Sequence, residues 1–203
     1  MVHNNLPYKT YFLEKYLKDY SIDTASFKNI MEIGAKDCVE SLKFTELFPN
    51  AYVTAFECNP ELTALCEFNA DMSDRITFVD KMVTDKPEIS TFYLPNSEPG
   101  MGSMKKCVLP GASVSVETVR MDDYITDEVI DLLWVDVQGA EVDILQSFGS
   151  KLGNVRTIYI EANILPMRYY ESSTPAGITN MLQYRTVKET YLVSKNEVHM
   201  ILT

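Results

Sequence analysis

Four acidic side chains, Glu57, Asp80, Asp136 and Glu161, each stand at or near the end of a short apolar run. A carboxylate so placed can hold hydroxyls or an ammonium group of a ligand, or it can take a proton from a reacting hydroxyl. Glu57 closes the run Tyr52–Phe56 and follows the small pair Gly34-Ala35 by about the 20 residues that separate a glycine turn from a ribose-binding acid. Asp136 closes Leu132–Val135, with Gln138 two positions on and Glu141 five. A carboxylate at such a strand mouth is costly unless it is solvated or liganded. Glu161 follows Val155–Ile160 and is the second candidate, after Asp136, to orient or deprotonate a hydroxyl. Glu141 has a plainer alternative, since an acid in the first turn of a helix gains about 0.3–1 kcal/mol from the helix N-terminus. Asp136, Glu161 and Asn163 would also make an oxygen-rich set for a hard cation, but nothing in their spacing demands a metal and none is expected. His3 and His199 stand alone in the sequence, so neither is expected to act as a base.

These acids need a scaffold that brings strand ends together. Ile30, Met31 and Ile33 form a first apolar run that stops at Gly34-Ala35, and Val39, Leu42, Phe44 and Leu47 then recur at helical spacing before the run that Glu57 closes. Leu62, Leu65, Cys66 and Phe68 mark a second helix, and Arg75–Val83 reads as a third strand. Ile89–Leu94 and Ser113–Val119 read as short strands or extended segments around a loop rich in Gly, Pro and Ser, and loops of this length are often functional. Asp122-Asp123 is expected in a connecting turn. The strand that Asp136 closes leads into a helix bearing Val142, Ile144, Leu145 and Phe148, with Gly149 suited to its C-terminal stop. A loop containing Tyr169 and Tyr170, which can line a substrate mouth, leads to a short helix and then to runs Thr186–Val193 and Val198–Leu202 joined by a hairpin turn.

The pattern predicts a Rossmann-like α/β fold: a mainly parallel sheet, helices on both faces and a C-terminal antiparallel hairpin. Its ligand belongs beyond the C-terminal ends of the strands. Trp134, inside an apolar run, is expected in the core. The 203 residues suit one domain, 1–203, with 1–27 an N-terminal helical segment packed on the sheet.

Composition narrows the function. The apolar fraction of 46% and charged fraction of 23% are ordinary for a globular protein, and the net charge of −11 argues against nucleic acid or a membrane surface as partner. No basic run exceeds Lys105-Lys106. Cys38, Cys58, Cys66 and Cys107 form no CxxC pair, and no secretory leader or spanning segment is evident, so free thiols and a cytoplasmic setting are expected. The first loop lacks the GxGxxG of dinucleotide enzymes, and Asp37 near the helix start would repel a diphosphate. A cationic sulfonium with an amino-acid tail meets no such conflict.

Three segments carry a resemblance: Glu32-Ile33-Gly34-Ala35-Lys36, Phe56-Glu57-Cys58-Asn59-Pro60 and Val135-Asp136-Val137-Gln138-Gly139-Ala140-Glu141. In order and spacing they resemble the DxGAN, FExNP and IDxxGAE motifs of the FkbM-type S-adenosylmethionine-dependent methyltransferases. The resemblance spans about Asn29 to Asn163. It implies the seven-stranded class I methyltransferase sheet and methyl transfer to an oxygen of a small molecule or sugar. It also implies that Glu32, Gly34, Ala35 and Lys36 surround the methionine part of the cofactor. Glu57 would then hold the ribose with Cys58 and Asn59 beside it, and Asp80 and Lys81 would approach the adenine. Asp136 would lie near the methionine amine and the transferred methyl, Gln138 and Glu141 around the acceptor, and Met101-Gly102-Ser103 would face the same pocket. Lys36, Asp37 and Gln138 depart from the family's usual residues, and no motif lysine or histidine stands as a base. The alternatives are a nicotinamide-dependent oxidoreductase on the same sheet and a non-catalytic module retaining the cofactor fold.

Overall fold

The computed structural model describes residues 10–86, 88–96, 99–164 and 169–203; His3 and Tyr8 lie outside them. Strand β1 (Asn29–Ile33) is flanked by β2 (Tyr52–Glu57) and β7 (Ile130–Val135), both parallel to it. With β3 (Ile76–Asp80), β8 (Val155–Asn163), β9 (Val187–Ser194) and β10 (Glu197–Leu202) they form a seven-stranded sheet in the order β3-β2-β1-β7-β8-β10-β9. Only β10, antiparallel to both its neighbours, runs against the rest. The predicted hairpin is therefore part of the sheet, with Lys195-Asn196 as its two-residue turn.

Alternation along β7 explains the two-sided core. Leu132 and Trp134 face helices α1 (Tyr11–Asp19) and α2 (Val39–Leu47), where they pack with Leu13, Tyr16, Phe44 and Phe48. Leu133 and Val135 face the other way, toward Ile144, Leu145 and Phe148 around α5 (Glu141–Ser147) and Ile178 of α6 (Pro175–Met181). A strand buried on both faces reads as an unbroken apolar run, as Leu132–Val135 does. Trp134 stacks on Tyr159 at 3.9 Å, inside the core as expected.

Three expectations need correction. The third strand does not run to Val83: it stops at Asp80, and β4 (Met82–Val83) pairs instead with β6 (Gly111–Val119). With β5 (Ile89–Pro95), which pairs antiparallel to β6, these form a separate three-stranded sheet. A tight turn, Lys81 N–H to Val79 C=O at 2.9 Å, makes the break. Asp122-Asp123 lies in a short helix, α4 (Met121–Tyr124), where the Arg120 guanidinium grips Asp122 through both carboxylate oxygens. Strand β8 passes through Glu161 to Asn163 instead of ending before it. The second predicted helix is α3 (Thr63–Ala70).

Register assembles the site. Ile33 lies beside Phe56 on one side and Val135 on the other. The next residues along these three strands are Gly34, Glu57 and Asp136, so they meet at one end of the sheet.

Candidate functional site

A cleft of about 610 Å³ opens at that end, floored by the loops after β1, β2 and β7 and roofed by the segment after β5. Gly34 is required there twice over. Its φ of +86° is a left-handed conformation, and a Cβ on it would stand 1.9 Å from the backbone carbonyl oxygen of Asp136. Its N–H and that of Ala35 both donate to the Phe56 carbonyl, at 2.9 and 3.0 Å, which ties the loop to the end of β2. Lys36 and Cys38 are also left-handed, with φ of 55° and 58°, and Gln138 across the cleft has φ 54°. Left-handed non-glycine residues cost about 1–2 kcal/mol each, and backbone strain of this kind collects at functional sites.

Glu57 organises the loops after β1 and β2. Its Oε2 accepts from the Lys36 N–H at 2.9 Å, and its Oε1 from the N–H groups of Cys58 and Asn59 at 2.9 and 2.8 Å. Burial pushes its carboxyl up from the ordinary range, and these three donors oppose that rise. A carboxylate has about four acceptor positions, so three backbone bonds leave capacity for a ribose hydroxyl. The side chain of Asn59 donates to the Pro99 carbonyl at 2.9 Å, and so fastens the roof to the floor. Cys58 and Lys81 line the cleft. Asp80, beside Glu57 in register, is exposed and stands outside the lining. Glu32 is buried behind Gly34, where it accepts from the Ser41 hydroxyl, and Ala35 packs among Cys38, Ala55, Leu62 and Cys66. Asp37 accepts from the Val39 N–H at 3.2 Å and so occupies the start of α2, the position a diphosphate would need.

Asp136 and Gln138 form the opposite wall. The Gln138 carboxamide donates to Asp136 Oδ1 at 2.8 Å, and Asp136 is 8% exposed. The Ser103 hydroxyl donates to the Gln138 carbonyl at 2.9 Å, and the Tyr169 hydroxyl donates to the Met101 carbonyl at 2.9 Å. These bonds lock the roof to the Asp136 loop. Gly100, Gly102 and Met104 reach the cleft, and a Cβ on Gly102 would meet the Phe92 ring at 2.4 Å. Tyr169, expected at a substrate mouth, is buried and acts as a roof support. Glu141 is 1% exposed and lies outside the lining. Its Oε1 accepts from the Gly139 N–H at 2.8 Å, and burial pushes its carboxyl up to about 8. It is therefore neither a solvated acid at a helix start nor a wall of the cleft.

Glu161 is also outside the cleft. It pairs across the sheet with His199, whose Nε2 lies 3.4 Å from Glu161 and 3.0 Å from Glu197, while Nδ1 lies 2.6 Å from the Tyr159 hydroxyl. Burial alone would lower the imidazole pKa, but the two carboxylates outweigh it and raise it to about 9. The ligand atoms of Glu161, Glu197 and His199 lie within 4.8 Å of one another, yet a protonated imidazole between two acids already satisfies the set. Asp136 is not among these residues, although it follows Val135 where Glu161 follows Ile160, and Val135 and Ile160 are paired in register. Sequence spacing concealed the set around His199 because Tyr159 and Glu161 reach it from the neighbouring strand β8. It also gave no sign of Phe92 and Met104, whose place in the lining depends on the second sheet.

The residues present fit S-adenosylmethionine. Glu57 offers an acceptor for hydroxyls, Phe56, Val83 and Ile144 offer apolar surface for a base, and Asp136 offers negative charge for an ammonium or sulfonium. Comparison with known proteins agrees. The methyltransferase FkbM domain matches residues 32–186. The chain is 30% identical over 167 residues to the 2-O-methyltransferase NoeI of Sinorhizobium fredii (strain NBRC 101917 / NGR234), covering 72% of this chain and 67% of NoeI. Among solved structures, the N-methyltransferase NodS from Bradyrhizobium japonicum WM9 superposes with a TM-score of 0.57 at 12% identity, covering 94% of this chain and 93% of NodS. A SAM dependent methyltransferase from Aquifex aeolicus does so at 0.55 and 10% identity, covering 93% and 87%. TrmK of M. capricolum, solved with S-adenosylhomocysteine, does so at 0.52 and 9% identity, covering 93% and 67%. These distant structures share the fold, and the sequence match carries the closer relationship. The chain belongs to the FkbM family of S-adenosylmethionine-dependent methyltransferases.

Proposed function

We propose that the chain methylates a hydroxyl of a small molecule or sugar. The observation that carries this reading is the pairing of Gln138 with Asp136 at the wall of the cleft, directly across the Gly34 contact from the cofactor loop. NoeI, by its name a 2-O-methyltransferase, is the relative that points to oxygen as the acceptor atom.

When bound, the cofactor supplies an electrophilic methyl on a sulfonium. The chain's own residues position and deprotonate. Glu57 and the loop it organises hold the ribose, with Lys36, Gly34 and Cys58 around the rest of the cofactor. Gln138 fixes the rotamer of Asp136, which would orient the acceptor hydroxyl and take its proton, while the methyl's bond to sulfur would break as its bond to oxygen forms. Holding two reactants in line accounts for most of the rate. Glu141 and Glu161 support the walls without touching the acceptor.

The reaction is placed in the cytoplasm, a reading supported by four buried free thiols. No helix among the described residues is long and apolar enough to cross a membrane. Residues 1–203 are taken as a single domain. The net charge of −11 favours a small-molecule acceptor over nucleic acid or a membrane surface.

Asp136→Asn tests the mechanism. It should reduce turnover at least a hundredfold, the usual scale of general-base catalysis, while S-adenosylhomocysteine still raises the melting temperature. Unchanged turnover would remove Asp136 from the mechanism. Absence of methyl transfer to any member of a broad panel of hydroxylated compounds would count against the acceptor class.

A further inference from the structure

Next to the cofactor cleft lies a second depression of about 850 Å³, and Met104 lines both. Its walls carry three lysines, Lys86, Lys105 and Lys106, in a chain where 29 acids outnumber 18 lysines and arginines. Lys105 is neutralised and fixed by Asp143, at 2.8 Å. Lys86 and Lys106 are exposed and make no ion pair among the described residues. Glu171 on the rim is the one further acid in the lining, so the wall keeps a positive balance that the rest of the surface does not share.

The same walls present two aromatic rings. Tyr170 is 58% exposed, and its N–H donates to the Lys106 carbonyl at 2.9 Å, beside the bridge between Cys107 and Tyr169. Tyr93 exchanges two backbone hydrogen bonds with Ser103, at 2.8 and 3.1 Å. The backbones that carry both rings and Lys106 are therefore held by pairing, and Ser103 ties that of Tyr93 to the Gln138 loop. Aromatic rings give sugar C–H faces a flat apolar surface, and unpaired lysines favour an anionic group.

We propose that this groove is the acceptor site and that it takes a saccharide carrying an anionic substituent, a carboxylate, phosphate or sulfate. The ring lies against Tyr93 and Tyr170, the anion sits between Lys86 and Lys106, and the hydroxyl to be methylated points past Met104 toward Asp136. This rests on the O-methyltransferase reading above and narrows its substrate class.

The test uses the full chain, labelled S-adenosylmethionine and matched sugar pairs across several sugar series: methyl glycosides against methyl uronides, and free sugars against their 6-phosphates and 6-sulfates. Transfer should favour the anionic member by about tenfold or more in kcat/KM, and the three anions show which source the site prefers. The double variant Lys86→Ala/Lys106→Ala should erase that preference, with S-adenosylhomocysteine affinity unchanged. Added salt should raise KM for the anionic members alone. Equal or better transfer to the neutral members, or a preference that survives in the double variant, overturns the anionic site while the O-methyltransferase reading stands. No transfer to any member overturns both for saccharides.

Discussion

Glu141→Gln isolates the consequence of burying an acid in the core beneath the Asp136 loop. The folded protein holds this carboxyl protonated up to about 8, because burial disfavours its charge. Unfolded, it releases its proton near the ordinary value of 4.5. Between these values the folded state binds more protons than the unfolded one, so stability falls as pH rises through the interval. At about 1.36 kcal/mol per pH unit the full interval is worth about 5 kcal/mol. Local relaxation and water entry reduce this, and about 2–3 kcal/mol is expected. Glutamine keeps an oxygen for the Gly139 N–H, which now lies 2.8 Å from the acid, and it never ionises. The variant should match the parent near pH 5 and exceed it increasingly toward pH 8.5. For a chain of this size the gap should reach roughly 5–10 °C in melting temperature. Melts of both proteins from pH 5 to 9 measure it. The titration of His199 is common to both and cancels in the difference. A gap that stays constant with pH, or a variant less stable at pH 8.5, would refute the reasoning.

Gly34→Ala should lower stability by about 3 kcal/mol or more, from about 1–2 kcal/mol for a left-handed alanine plus a methyl set against the Asp136 carbonyl. It should also abolish the thermal shift given by S-adenosylhomocysteine, and a variant that still shows the shift would count against the cradle. His199→Gln addresses the Glu161–His199–Glu197 set. Its folded pKa of about 9, above the ordinary 6.5, means that its contribution is complete below 6.5 and is lost as pH rises through 9. The variant should therefore be about 1–2 kcal/mol less stable at pH 6 and converge with the parent by pH 9.5, as read by urea denaturation.

The strands that form the site were legible because each is short, apolar and closed by a small or acidic residue. Ile30–Ile33, Tyr52–Phe56 and Leu132–Val135 all appear where their patterns put them, since strands buried on both faces leave a continuous apolar trace. The second sheet was legible only in part: Ile89–Leu94 and Ser113–Val119 appear as β5 and β6, but the strand that completes it did not show. Met82-Val83 continue the apolar pattern of the third strand, and only the turn at Lys81 sends them elsewhere. Glu161 and Glu141 show the limit at the site. As sequence, Glu161 closes an apolar run as Asp136 does and Glu141 opens the helix after it, yet the pleat and the depth of each position decide whether an acid meets ligand or core. Glu161 meets His199 from a strand almost forty residues further on, and Glu141 turns inward to the Gly139 N–H.

Gly34 also explains why the motifs come as a set. Its missing side chain lets β1 approach the Asp136 carbonyl, and the Asp136 N–H donates to Ile33 C=O at 3.0 Å beside it. The loop proposed to surround the cofactor and the residue proposed to face the acceptor are thus in backbone contact. Ser103 and Tyr169 then bind the roof to the Gln138 side of that contact, and Asn59 binds it to the Glu57 side. A displacement of any one loop must move the others, so the distance between bound cofactor and acceptor is set by backbone packing more than by flexible side chains. Productive alignment falls steeply with misplacement of about 1 Å. The three sequence segments therefore have to match together: a glycine turn without the Asp136 strand against it would hold cofactor at no defined distance from an acceptor.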